Sequence, residues 1–297
     1  MNPAEFHASR QFIHTPFGRI TYIEQGSGPV TLFLHGLPLC SYEWREVIAD
    51  LAPVRRCIAL DEMGLGYTEV AAGQVVSYAA QAQMIAAFLD AVKVDSVDLV
   101  GNDTGGGISQ IFTATYPAKV RSLTLTNCEV HDLWPNTLLT GFYAGVASGV
   151  IPHALKTMLS DITLARQQLG AIVYENAEMF TPETVQVYLA PIVASDDRIK
   201  QFQQLSDWKT GRTQLMEIAS KLKASKIPAQ IIWGEADPVF DVEPSLSWLK
   251  INLGGLKKIT RVPRAKLFFP EEHPRLMSVL LNEFWRPEFD IRAPVNI

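Results

Sequence analysis

The chain has 297 residues, 47% of them hydrophobic and 19% charged, with a formal net charge of -5. That length and balance suit one large globular unit, or one unit with an insertion, built on a sizeable core. The negative charge argues against nucleic acid or an anionic membrane as partner, because the field of the whole molecule attracts neither. Cys40, Cys57 and Cys128 form no close pair in the chain, so no metal site and no redox pair are expected, and their sparse use fits a reducing compartment. Met1 to His7 lack the basic and apolar succession of a secretory leader, and no apolar stretch reaches the length of a membrane-spanning helix. A cytoplasmic location is the expectation.

Two short strands open the chain, Phe12 to Thr15 and Ile20 to Glu24, followed by a Gly-Ser-Gly-Pro turn at Gly26 to Pro29. The continuous apolar run Val30 to Leu34 suits a strand buried on both faces. It ends at His35-Gly36-Leu37-Pro38, and a helix follows from Tyr42 to Leu51. Cys57 to Leu60 is the next strand, ending at Asp61-Glu62-Met63-Gly64-Leu65-Gly66. A helical pattern covers Tyr78 to Ala91 and leads to the strand Val97 to Val100. Gly105-Gly106-Gly107 opens a helix that Pro117 stops, and Ser122 to Thr126 is again a strand. From His131 to Lys223 the pattern is helical, with Pro and Gly punctuation and no buried strand. Strand and helix alternate again from Ala229 to Gly234 through a helix near Pro244 to Asn252, a strand near Lys258 to Val262 and a last helix near Pro274 to Trp285. Such alternation predicts a mainly parallel sheet with helices on both faces. Residues 1–130 and 224–297 are expected to form this core, and residues 131–223 a helical cap over the carboxyl edge of the sheet, where ligands bind in such folds.

Gly101-Asn102-Asp103-Thr104-Gly105 joins a strand to a helix. A sharp turn of this kind needs small residues on either side, because the backbone comes close to its neighbours there. The helix start adds free N–H groups and a positive dipole end, which stabilise a carboxylate or an oxyanion forming beside it. The plainer reading is that Asp103 only caps the helix.

These segments resemble the haloalkane dehalogenase and epoxide hydrolase branch of the α/β-hydrolase superfamily. The resemblance is carried by Leu34-His35-Gly36-Leu37-Pro38, Tyr42-Glu43-Trp44-Arg45, Arg56 to Gly66, the turn at Asp103, and Trp233-Gly234-Glu235-Ala236-Asp237. It implies an α/β-hydrolase fold with an inserted cap, and a nucleophile at Asp103 that attacks a carbon electrophile and forms an ester. A histidine-activated water, with an acid orienting the histidine, then releases it. The acid position falls on Asp237, or on Glu129 in relatives that place it after the earlier strand. The backbone N–H groups of Leu37 and Thr104 stand at the oxyanion positions, with His35 in the same turn. The histidine position, aligned on Glu271-Glu272-His273-Pro274, falls on Leu267, which cannot take a proton from water. His131, beside Glu129, and His273 are the replacements the sequence offers.

The halide-holding positions of dehalogenases fall on Thr104 and Leu37, so halide abstraction is disfavoured, with Trp134 as the indole donor from the cap. Tyr143, Tyr174 and Tyr188 are the candidates for the cap tyrosines of epoxide hydrolases. The expected function is action on a small hydrophobic electrophile, an epoxide or related compound, through Asp103, without a standard triad. The alternatives are a haloalkane dehalogenase, a non-catalytic ligand-binding protein, and a non-hydrolytic enzyme (cyclase, isomerase, lyase or one forming carbon–carbon bonds) using Asp103 as general acid or base. A capped apolar site would raise the Asp103 pKa, offset by the helix dipole. None of these reactions requires a cofactor. The expected partner is the small hydrophobic substrate alone, and the sequence leaves a homodimer open.

Overall fold

The structure is a computed structural model that describes residues 1–286. Nine strands form one sheet: β1 (Gln11–Thr15), β2 (Gly18–Gln25), β3 (Val30–Leu34), β4 (Arg56–Leu60), β5 (Glu69–Val70), β6 (Val97–Asp103), β7 (Val120–Cys128), β8 (Ala229–Gly234) and β9 (Leu256–Val262). Their order is β1-β2-β4-β3-β6-β7-β8-β9, with the short β5 paired to β2. β1, β2 and β5 pair antiparallel, β2 runs antiparallel to β4, and β4 through β9 along the sheet are parallel. Every residue of β6 and of β8 is buried. This is why those segments read as apolar runs without alternation: helices cover both faces of the sheet.

β3 lies between β4 and β6. The chain therefore leaves β3 toward one edge of the sheet and returns toward the other edge from β6. The carboxyl ends of β3 and β6 flank the point where strand order reverses, and a crevice opens there in folds of this type. Leu34 pairs with Gly101 in register, so the His35-Gly36-Leu37-Pro38 turn and Asp103 emerge side by side.

The helix expected over Tyr78–Ala91 has those bounds, with the Ser77 Oγ accepting from the Ala80 N–H at its start. Other elements go beyond that pattern. The helix Pro3–Ser9 is set by a reciprocal cap between Asn2 and Glu5 with Pro3 in its first turn, local signals of a helix start. β5 is two residues long, and the one-turn helix Phe269–Glu272 is read only from tertiary context. β6 also runs three residues past its expected end, through Asp103.

Between β7 and β8 the described chain holds helices and no strand, among them Thr137–Ala147, Val150–Met158, Pro182–Leu189, Asp196–Leu205 and Trp208–Glu217. A π-helical turn, Arg166–Gly170, interrupts them. No single helix is long and apolar enough to cross a membrane among the described residues. Residues 287–297 of the expected core segment lie outside the described residues.

Candidate active site

Asp103 is the last residue of β6 and the N-cap of the helix Thr104–Thr115, with φ 51° and ψ -128°. A non-glycine residue at positive φ is strained by the order of 1–3 kcal/mol and persists only where its surroundings dictate it. Here they do. A Cβ on Gly105 would lie 2.5 Å from the Leu34 carbonyl oxygen, and one on Gly101 2.4 Å from Ser109 Oγ. The Gly105 N–H also donates to the His35 carbonyl at 3.0 Å. The turn is thus clamped against the end of β3, and the Asp103 side chain projects where strand order reverses.

A cavity of about 130 Å³ lies over it. Asp103, Thr104, Leu37, Pro38, Val239 and Leu267 form its floor and sides, and the helices Thr137–Ala147 and Val150–Met158 contribute Leu139, Phe142, Tyr143, Ile151, Leu155 and Met158. Gln168 and Leu169, on the π-helical turn, complete the wall. No histidine, lysine or arginine is among the lining residues. Among the described residues, the hydrogen bond to the Asp103 carboxyl is the Leu37 N–H donating to Oδ2 at 3.0 Å.

Glu129 follows β7 and is fully buried. Its Oε1 accepts from the Tyr78 hydroxyl at 2.8 Å and from Thr104 Oγ1 at 3.4 Å, while Oε2 has no partner. Burial pushes the Glu129 carboxyl up to about 7, against the hydrogen bonds from Tyr78 and Thr104. Burial also holds Asp103 well above the ordinary carboxylate range, with further contributions from Glu129, Glu43 and Asp237 and an opposing one from the Leu37 N–H. Two neighbouring carboxyls in a low-dielectric site cannot both ionise freely. Together they form a centre able to hold one proton and release it, a general acid and a general base in one site.

Asp237 is buried after β8. Its Oδ2 accepts from Asn127 Nδ2 at 2.7 Å and its Oδ1 from the Val239 N–H at 2.8 Å. Burial raises it to about 6, against those bonds. Asn127 also bonds both ways to the Gly234 backbone, at 2.6 and 3.0 Å, so the acid is locked to the sheet with both oxygens engaged by groups other than an imidazole.

The two histidines that the sequence offers as a substitute base lie away from the cavity. His131 stands at φ 50° with its ring stacked on Trp248, 4.8 Å between centroids, and Nδ1 2.7 Å from Asp132 Oδ1. His273 caps the last helix and lies 4.0 Å from Glu175, its side chain exposed. Neither lines the cavity. His35, grouped with the substrate-binding turn, is fully buried: Nδ1 bonds the Gly36 carbonyl and Nε2 the Glu62 N–H, both at 3.0 Å. An N–H donating to Nε2 fixes the neutral tautomer protonated on Nδ1, and burial lowers the pKa accordingly. The ring braces the turn and does not line the cavity.

Trp134 is buried rather than cavity-lining, stacked on Tyr78 at 6.1 Å and edge-on to Tyr143 at 5.9 Å. Tyr174 and Tyr188 donate to Glu271, which also pairs with Arg45; of the three tyrosines only Tyr143 lines the cavity. Leu267 lines it beside Asp103, and its carbonyl accepts from Asn102 Nδ2 at 3.0 Å. Leu37 and Thr104 line it too, although the Leu37 N–H is committed to Asp103. Tyr78 and Asn127, which hold the two further acids, were missed. Tyr78 opens the expected helix and Asn127 lies just past the expected strand Ser122 to Thr126, and nothing local marks either as a partner of a distant carboxyl. Among the described residues no group of three His, Cys, Asp or Glu side chains is placed to hold a metal ion.

An acid on a strained strand-to-helix turn, at the reversal point of a parallel sheet and under an apolar roof of helices, defines a hydrolase-type α/β scaffold. The family model for the alpha/beta hydrolase fold matches residues 29–251, and the chain belongs to that family. A cis-3-alkyl-4-alkyloxetan-2-one decarboxylase of Shewanella oneidensis is 26% identical over 255 residues, covering 80% of this chain and 77% of that protein. Haloalkane dehalogenase 2 of Mycobacterium bovis is 27% identical over 274 residues, covering 90% of this chain and 92% of the relative. Epoxide hydrolase 1 of Caenorhabditis elegans is 22% identical over 287 residues, covering 90% and 67%. The protein is an α/β-hydrolase-fold enzyme related to haloalkane dehalogenases and epoxide hydrolases.

Proposed function

We propose that this enzyme catalyses a non-hydrolytic, proton-transfer reaction on a small and mostly apolar molecule, an isomerisation or a lyase-type cleavage, with Asp103 as general acid and base and Glu129 as its electrostatic partner. Residues 131–223 serve as the cap that closes the site. The observation that carries this reading is the composition of the cavity: its ionisable lining groups are Asp103 and Tyr143, Glu129 stands behind Thr104, and no imidazole lines it. An ester on Asp103 would meet no imidazole to activate water, whereas a carboxyl pair sharing a proton needs no further group to move one. Apolar walls exclude water and strengthen that exchange. No cofactor is needed for proton transfer of this kind. The relative named as a decarboxylase is support for lyase chemistry on this scaffold.

A second reading is favoured by the strained turn at Asp103 and by the relatives named for dehalogenation and epoxide opening: direct attack of the Asp103 carboxylate on a strained ring or alkyl halide. One experiment separates the two. The protein is incubated in deuterated water with medium-chain ketones, lactones, amines, epoxides and haloalkanes, and both products and intact protein mass are followed. Deuterium entering a substrate with wild type, absent with Asp103→Asn, and no mass gain on the protein is the expected result. A covalent adduct on Asp103, or turnover to diol or halide, overturns the acid–base reading in favour of the nucleophilic one.

A further inference from the structure

The carboxyl of Asp103 in the cavity wall has other acids behind it and no basic group in the lining. Asp103 meets acids on several sides: Glu129 after β7, Glu43 from the turn Ser41–Trp44, and Asp237 after β8. The Asp103 carboxyl is buried, and among the described residues its Oδ1 has no hydrogen-bond donor. Glu129 Oε2 and Glu43 Oε1 are buried without partners, and the hydroxyl of Tyr143, which lines the same cavity as Asp103, has no partner among the described residues either. No basic side chain lines the space. Buried carboxyls left without a compensating charge are costly, and a native site rarely leaves several of them bare. An anionic head group would add repulsion. A neutral one would leave uncompensated the charge that the Asp103–Glu129 pair keeps when only one of its carboxyls is protonated. A cation relieves both, and the wall includes two aromatic rings, Phe142 and Tyr143, a residue type that attracts cations.

We propose that the ligand is a hydrophobic monocation, an aliphatic ammonium ion whose nitrogen sits between the Asp103 carboxyl and the Tyr143 ring and whose alkyl body lies along the helices Thr137–Ala147 and Val150–Met158. The inference rests on the reading of Asp103 as the acid–base centre and adds the class of molecule that centre handles. Size agrees: a buried water takes up roughly 10–15 Å³ of such space, so a cavity of about 130 Å³ admits on the order of ten water-sized groups, enough for an amine with a chain of about eight carbons.

The test is calorimetric titration of the full chain with n-octylamine, 1-octanol and octanoate, near pH 6 and near pH 8. Octylamine should bind about tenfold to a hundredfold more tightly than octanol, the worth of one charge-assisted hydrogen bond, and octanoate should not bind. Near pH 6 the carboxyls hold protons, Glu129 being pushed up to about 7 by burial. Amine binding there should be weaker and should release protons, seen as a dependence of the heat on the buffer's ionisation enthalpy. Asp103→Asn removes the preference for amine over alcohol, and Glu129→Gln reduces it. Equal binding of octanol and octylamine, preferential binding of octanoate, or no octylamine binding up to its solubility overturns the proposal without recourse to the variants. Octylamine binding with no deuterium exchange in any compound leaves the ligand class standing and removes the acid–base reading. Exchange into neutral compounds with no amine binding does the reverse.

Discussion

Tyr78 and Thr104 address the same oxygen of Glu129, and the other oxygen has no partner. That one-sided solvation is why burial dominates the Glu129 pKa, and it carries a stability consequence. The group titrates near 7 in the fold against an ordinary 4.5, so the folded chain holds the proton more tightly than the unfolded chain. The sign follows: this contribution is complete below about pH 4.5 and is lost as the pH rises to about 7, a change of the order of 3 kcal/mol at most. Thermal melts should show lower stability near pH 8 than near pH 5, and Glu129→Gln should narrow that difference. An unchanged difference in the variant would assign the pH dependence to Asp103 and its other neighbours. At this scale the sequence locates the three acids and is silent about their partners. Asp103, Glu129 and Asp237 stand at strand ends, which a strand pattern locates, whereas Tyr78 and Asn127 reach two of them only through tertiary packing. The histidines misled for a related reason: adjacency of His131 to Glu129 in the chain says nothing about ring direction, and the backbone at φ 50° turns the ring onto Trp248.

The strand–turn–helix element at Asp103 stands on glycines pressed against the end of β3. Atoms of the Leu34 and His35 carbonyls, 2.5 and 2.6 Å from the Cβ that Gly105 lacks, belong to a central strand and its turn and cannot move aside. Gly105→Ala should therefore cost about 3 kcal/mol or more, at the upper end of overpacking effects, read as a fall in the denaturant midpoint with an unchanged slope. A loss below about 0.5 kcal/mol, the range of an innocuous surface change, would show that the element yields. This element was legible beforehand because small residues at fixed spacing between an apolar run and a helix report a close approach directly. The helices Thr137–Ala147 and Val150–Met158 were legible only as helical. Which of their faces meets the cavity depends on a chain path of roughly a hundred residues between β7 and β8, and no local signal encodes it.

Across the whole molecule, one buried network joins parts of the chain that are far apart in sequence. Glu271, beyond β9, accepts from Tyr174 and Tyr188 of the helical stretch and pairs with Arg45 of the helix Arg45–Leu51. Its side chain is 1% exposed. Removing one member of such a pair leaves a buried charge uncompensated and costs about 3–5 kcal/mol, more than the pair itself contributes. Arg45→Ala should thus lower the melting temperature sharply, and Glu271→Gln, which keeps two hydroxyl donors engaged, should do so less. Limited proteolysis would show whether cleavage of Arg45→Ala begins in residues 131–223, as expected if the network seats that stretch on the sheet; unchanged cleavage sites would place the effect elsewhere.

Trp134 lies parallel to Tyr78, which holds Glu129, and edge-on to Tyr143, which lines the cavity. Its buried indole N–H has no partner among the described residues. The emission of an indole responds to charge and polarity in its surroundings, so the packing behind this site's wall contains its own optical gauge, one ring removed from whatever enters and one ring removed from the carboxyl that changes its protonation.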